Sequence, residues 1–419
     1  MKEKLKIGIV GLGGRSFYST GGLTRDLAYM DDVDIVWVCD LYQDRVDDAI
    51  RWLKEERGMS PKGTTDYKDI LADPEVDAVG VFNGWEMHIQ IATDAMKAGK
   101  AVGMEVGGAY SVEDCWKLVR TQEETGVFFM LLENCCYGRL ELLGLKLARL
   151  GIFGEIVHCS GGYHHDLRGE ISASVENRHY RLRNYMYRNS HNYPTHDLGP
   201  ISKVLNINCG NRIVSLSSFA SKACGFNEFN SRVRGKDHGL ANYKFAQGDI
   251  VTTVLKCSNG ETIVLTLDTS TPRPYYSRGF TIRGTKAFLT EDTKSLFIEE
   301  DMKEEISGLH DMSAIDSPFH NNLDEYYKKY KNELWEEYDR LEIKVGHGGM
   351  DWHVLRAFVE GVKEGHESPI DVYDTAVLLA VTPLSEDSIA MGGAPVAMPD
   401  FTNGEWVKKN EKEQWKYSL

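Results

Sequence analysis

Short apolar runs recur through the first third of the chain, separated by stretches in which apolar residues return every three or four positions. The runs occupy residues 5–10, 34–39, 78–82, 101–104 and 127–132, and the helix-like stretches include 45–57 and 88–98. Continuous apolar runs of strand length suit strands buried on both faces, and helices between them imply right-handed crossovers. The pattern predicts a doubly wound, mostly parallel sheet over residues 1–134.

From about Gly151 the texture changes to longer alternating stretches, at 155–160, 212–220, 249–257, 261–268 and 278–283. Alternation marks strands with one buried face, and Asn259-Gly260 between two of them is a tight-hairpin signal. The expectation for residues 135–419 is an α+β domain built on a large, mostly antiparallel open-faced sheet. A late helix is expected over 351–364, with Asp351 as N-cap and Leu355, Phe358, Val359 and Val362 on one face. The acidic stretch 291–305 and the mixed-charge stretch 324–340 read as solvated faces.

Charge narrows the partners. With 48 basic and 63 acidic residues the formal net charge is −15. Nothing in that balance neutralises phosphates, so neither nucleic acid nor an anionic membrane is an expected partner. No apolar run approaches bilayer length; 127–132 is only strand-sized. The chain opens into its first strand without a signal-like apolar segment, and its eight cysteines show no CxxC pair or zinc-like spacing. Reduced thiols in a cytoplasmic location are the corresponding expectation.

Two strand ends carry the first chemistry. Residues 5–10 end in Gly11-Leu12-Gly13-Gly14-Arg15-Ser16, which matches the dinucleotide fingerprint except at its third glycine, where Ser16 stands. The second strand ends in Asp40. Glycines let backbone approach a pyrophosphate, and a carboxylate there accepts from a ribose diol while repelling a 2′-phosphate. Strand, turn, helix and acid in this order point to a Rossmann domain that binds NAD rather than NADP. Ser16 suggests a wider turn than usual, and Arg15 could reach a phosphate. Three later strand ends are polar and complete a nicotinamide pocket: Asn83-Gly84-Trp85-Glu86-Met87-His88, Glu105-Val106-Gly107 and Glu133-Asn134. A plain helix cap at Asn83 is the simpler alternative for that loop.

The second domain holds three clusters: Tyr163-His164-His165-Asp166-Leu167-Arg168, His179-Tyr180-Arg181-Leu182-Arg183, and Asn192-Tyr193-Pro194-Thr195-His196-Asp197-Leu198-Gly199-Pro200. His196 stands in a His-Asp pair ahead of a Gly-Pro break, as a positioned general base would. A zinc or manganese set drawn from His164, His165, Asp166, His191 and His196 is the weaker reading, since no pair has helical metal-ligand spacing. No metal is expected.

These strings resemble glycoside hydrolase family 109, the NAD-dependent α-N-acetylgalactosaminidases, within the glucose–fructose oxidoreductase and inositol dehydrogenase superfamily. The resemblance runs almost the full chain. It is carried by Trp85 to His88, Leu132-Glu133-Asn134 with Tyr137-Gly138-Arg139, Tyr163 to Arg168, Tyr180 to Arg183, Tyr193 to His196, Gly346-His347-Gly348-Gly349-Met350-Asp351 and Pro383-Leu384-Ser385-Glu386. It implies NAD contacts at Asp40, Trp85, Glu86, Met87, His88, Glu105, Val106 and Asn134. It implies sugar contacts at Tyr163, Arg181 and Tyr275, with Tyr193, Thr195 and His196 touching both; His165 joins the substrate candidates from its cluster. There are departures. The superfamily's dehydrogenases carry Glu-Lys-Pro where this chain has Glu105-Val106-Gly107, and the family's glycine after the histidine is Asp197 here.

The resemblance implies hydrolysis of terminal N-acetylgalactosaminides by transient oxidation at C3, elimination across C1 and C2, water addition and return of the hydride. His196 is the principal base in this reading, Tyr163 its acid–base partner, and Tyr193 a group for the C3 hydroxyl proton. A net sugar dehydrogenase and a non-catalytic NAD- and sugar-binding sensor are the rivals. A homo-oligomer is the further expectation from the resemblance.

Overall fold

The computed structural model describes residues 4–19, 21–301, 311–341, 346–408 and 413–419. They form two compact units: residues 1–137 with 337–380 and 410–419, and residues 138–336 with 381–409. The division differs from a single cut after residue 134, because a parallel sheet needs cover on both faces. Part of that cover comes from the distant segment 337–380. Phe358, on the helix Met350–Glu364, packs so closely against Gly103 that a Cβ there would lie 3.1 Å from its ring.

The first unit contains β1 (Leu5–Val10), β2 (Val33–Cys39), β3 (Lys62–Thr64), β4 (Ala78–Val81), β5 (Ala101–Met104) and β6 (Phe129–Leu131). Every pairing among them is parallel and the order is β3-β2-β1-β4-β5-β6. Strand order reverses between β1 and β4, so the loops leaving the carboxyl ends diverge there and open a crevice. Helices Gln43–Arg57, His88–Lys97 and Val112–Thr125 occupy the crossovers. The last is set by a capping box, Ser111 accepting from the Asp114 amide while the Asp114 carboxylate accepts from the Ser111 amide.

The second unit contains β7 (Ile156–His164), β8 (Ile213–Ala220), β9 (Ile250–Cys257), β10 (Thr262–Asp268), β11 (Thr281–Gly284), β12 (Ala287–Thr290), β13 (Ser295–Ile298) and β14 (Val396–Ala397). Their order is β13-β12-β11-β7-β10-β9-β8-β14; β7 and β10 run parallel and the other pairs antiparallel. Asn259-Gly260 does turn the β9–β10 hairpin. Cys159, Leu255, Ile263, Leu265, Ile282 and Leu289 form the buried side. The helix Thr195–Val204 lies on that side over Gly161, where a Cβ would stand 2.9 Å from the Asp197 Cβ and 3.2 Å from Ile201. Glycine at 161 lets this helix sit against β7.

Four expectations change. The Gly199-Pro200 pair does not break the chain: Thr195–Val204 is helical throughout. Pro200, the sixth residue of that helix, has no amide to give to the His196 carbonyl, so the helix runs through it with one backbone bond fewer. Asp351 is not an N-cap; the helix begins after Gly349, and the Asp351 carboxylate is used elsewhere. The stretch 291–305 is not simply a solvated face, since it holds β13 with buried Leu296 and Ile298; residues 302–305 lie outside the described residues. Likewise 324–340 buries Leu334, Trp335 and Tyr338. Among the described residues no helix is long and apolar enough to cross a membrane.

Candidate functional site

The first unit presents one group of candidates along the carboxyl ends of its strands. Gly11 follows β1 with φ +100°, and a Cβ there would stand 2.3 Å from the Asn83 backbone. Only glycine lets the loops after β1 and β4 pass this closely. Residues Gly14–Tyr18 then form a single π-turn, with Ser19 N bonded to Gly14 O at 2.8 Å, which is the wider turn expected of Ser16 in the third fingerprint position. Ser16 itself points inward: it is fully buried and its Oγ lies 2.8 Å from Thr24 Oγ1.

Asp40 closes β2. Its carboxylate accepts from Leu12 N at 2.8 Å and Tyr42 N at 3.1 Å, and Arg45 Nη1 lies 3.7 Å away. Two amides orient the group, and a carboxylate still has acceptor positions left for a diol. The residues present therefore fit a dinucleotide with an unphosphorylated adenosine ribose.

The other loops divide into outward and inward groups. Glu86 and Met87 are exposed, whereas Trp85, Val106 and Asn134 are buried. His88 is buried with Nε2 2.9 Å from Asn83 O and Nδ1 3.1 Å from Gly107 O, so it ties the loops after β4 and β5 together. Burial lowers its pKa, against the two carbonyls, which favour the charged form; the neutral ring donates to one of them and lies against the other. Arg15 turns toward protein: both Asp351 oxygens lie 2.8 Å from its terminal nitrogens, and Glu105 is 3.7 Å off. Asp351, with its side chain wholly inaccessible, also accepts from Asn134 Nδ2 at 2.7 Å and pairs with His347 Nδ1 at 2.7 Å. The Arg15 charge, with the His347 hydrogen bond beside it, outweighs burial and holds the Asp351 carboxyl well below the usual range. Sequence reading assigned Asp351 only a cap; the spacing His347-x-x-x-Asp351 was the available signal.

The second unit presents the other group. Tyr163 and Tyr193 stack with ring centroids 4.2 Å apart. The Tyr163 hydroxyl lies 3.1 Å from His165 Nδ1, and the Tyr193 hydroxyl 3.3 Å from His196 Nε2. Burial, then the Arg181 charge, lower the His165 pKa, so a neutral ring accepts from the phenol. Arg181 is buried with its guanidinium 4.8 Å from the Tyr193 ring centroid and 3.0 Å from Glu170. His196 stands in the first turn of the helix Thr195–Val204, half-buried, with Thr195 buried beside it. On the same helix Asp197 is fully buried 3.4 Å from His191 Nε2.

Tyr275 is placed differently from this group. It is 62% exposed, whereas Tyr276 is 38% exposed, with its ring 5.9 Å from Tyr163 and 5.1 Å from His165. Register explains this. Ser277 pairs with His164 in an antiparallel bridge, which sets Tyr276 opposite His165 and on the Tyr163 face. Among the described residues His164, His165, Asp166, His191 and His196 do not bring three donor atoms to one point. Asp166 is instead salt-bridged to Arg168 at 2.6 Å.

Comparison with known proteins agrees with both halves. Residues 5–132 match the model of the oxidoreductase family with an NAD-binding Rossmann fold, and residues 137–408 match that of the glycosyl hydrolase 109 C-terminal domain. A glycosyl hydrolase family 109 protein of Stenotrophomonas maltophilia is 36% identical, over 97% of this chain and 91% of its own. An alpha-N-acetylgalactosaminidase of Tannerella forsythia is 35% identical, over 97% and 88%. In fold the chain is similar to a levoglucosan dehydrogenase solved with NADH and levoglucosan, at TM-score 0.69 and 15% identity, covering 95% of this chain and all of that one. A dinucleotide half with Asp40 at its second strand end, continuous in sequence with a hydrolase half of this kind, identifies the chain as a member of glycosyl hydrolase family 109, a glycoside hydrolase with an NAD-binding Rossmann domain.

Proposed function

We propose that the protein hydrolyses terminal α-N-acetylgalactosaminides by a redox-assisted elimination, with NAD bound at the Asp40 edge of the first unit. Bound there, the cofactor supplies reversible hydride removal at sugar C3, which makes the C2 proton acidic. The observation that carries the reading is the tyrosine–histidine cluster. Two stacked phenols each have a histidine nitrogen within reach, at 3.1 and 3.3 Å, which suits repeated proton transfer. Among the carboxylates near the cluster in sequence, Asp166 and Glu170 are ion-paired with Arg168 and Arg181 and Asp197 is buried against His191, unlike the opposed pair of an ordinary glycosidase.

In this reading His196 takes the C2 proton, and Tyr163 gives a proton to the departing C1 oxygen. Water adds at C1, giving its proton to Tyr163 and so restoring the phenol, and His196 returns a proton to C2. Tyr193 handles the C3 hydroxyl proton, and Arg181 orients the sugar through its planar donors. Asp40 holds the ribose diol. The Tannerella forsythia relative bears the corresponding name, alpha-N-acetylgalactosaminidase.

Turnover in D₂O tests this. Sugar released by elimination carries deuterium at C2, because the returning proton comes from a group that exchanges with solvent. Direct displacement leaves C2 untouched, and released sugar without C2 deuterium under full turnover sinks the proposal. A ketone with stoichiometric NADH would identify a net dehydrogenase instead.

A further inference from the structure

The turn that leads into the helix Met350–Glu364 is built against backbone preference. His347, Gly348 and Gly349 follow one another with φ of +48°, +63° and +105°. A non-glycine residue in the left-handed region is strained, and such residues persist where the surroundings over-determine them. Here the conformation sets His347 Nδ1 2.7 Å from Asp351 Oδ2 while leaving 51% of the side chain exposed. A donor at Nδ1 fixes the tautomer, so Nε2 is available for another group.

The location gives that nitrogen a purpose. Asp351 gathers Arg15 from the loop after β1 and Asn134 from the end of β6, and Arg15 lies 3.7 Å from Glu105 after β5. These are carboxyl ends of the parallel sheet, the edge at which α/β folds hold nucleotides. The same carboxylate that orders this edge therefore also aims His347.

We propose that His347 is a further dinucleotide-binding residue, held by Asp351, whose Nε2 accepts from a ribose hydroxyl on the nicotinamide side. This rests on the dinucleotide reading of the first unit. Two variants of the full chain test it. His347→Asn keeps a residue type that tolerates positive φ, and His347→Gly removes the side chain without backbone penalty. Affinity for NAD, ADP-ribose and AMP is measured by calorimetry, with melting curves as the control for folding. Expected is a loss of about tenfold for NAD and ADP-ribose, equivalent to about 1.4 kcal/mol, with AMP unchanged and melting close to that of the unmodified protein. Unchanged NAD affinity in a folded variant overturns the assignment, as does equal weakening of all three ligands, which marks general distortion. Absence of NAD binding by the unmodified chain would instead remove the dinucleotide reading itself.

Discussion

The two candidate regions solve different problems with different residue types. Along the edge of the first unit, polar groups are tied to one another: Asp40 to two amides, His88 to two carbonyls, Asp351 to Arg15, Asn134 and His347. The second unit's cluster is made of stacked rings, with hydroxyl and imidazole groups paired at 3.1 and 3.3 Å. A ligand retained through every cycle is served by an edge organised in advance, since less ordering is then lost on binding. Groups that exchange protons gain from looser pairs that tighten in the reacting complex. On the proposed function, the contrast is between holding and transferring.

Substitutions in the two regions should therefore fail in different ways, and the sharpest case is His196. His196→Ala should lower kcat by about two to four orders of magnitude while the NAD content of the purified protein stays unchanged. Near-normal turnover would remove His196 as the base; loss of NAD with early melting would make it structural.

A smaller effect separates two neighbouring tyrosines. Tyr276→Ala should lower kcat/KM for N-acetylgalactosaminides by about tenfold, and Tyr275→Ala by less than about twofold, since the first ring alone joins the Tyr163 face. The reverse ranking would favour the assignment that family resemblance implies.

The smallest effect is one of stability, and belongs to the first unit. Asp26 is buried, accepts from Gly346 N, and has its pKa pushed up to about 7, first by burial and then by the Asp351 charge. Its folded value lies above the unfolded one, so its stabilising contribution is complete below ~pH 4 and is lost as pH rises through 7. The melting temperature should accordingly fall between pH 5 and pH 8, and Asp26→Asn should flatten that fall, a difference on the order of 2 kcal/mol. Parallel curves for the two proteins would show that Asp26 does not titrate in this window.

Much of the first unit was legible from pattern alone. β1 and β5 begin and end at the residues expected, because strands buried on both faces are continuous apolar runs with polar ends. β3, an edge strand of Lys62, Gly63 and Thr64, has no such run and was not expected. The acid at Asp40 was readable because its role depends on position after β2. The places of Asp351 and Tyr276 were not, because each is set by a partner elsewhere: Arg15 lies 336 residues from Asp351, and strand register puts Tyr276 rather than Tyr275 beside Tyr163. Arg15 and Ser16, expected from the fingerprint loop, have a buried carboxylate and a buried hydroxyl as partners, neither of which the loop's own sequence announces.

The cover that residues 337–380 provide has a consequence for how the chain is made. Synthesis runs from the N-terminus, and domains commonly fold as they emerge. Here the parallel sheet is complete in translation by Leu131, yet Phe358 and Asp351 emerge more than two hundred residues later. Until then the Gly103 face is bare and Arg15 lacks its buried carboxylate. The nucleotide half is thus begun first and closed last: a chain truncated before residue 337 has the fingerprint but lacks the carboxylate that pairs with Arg15 and the ring that covers Gly103.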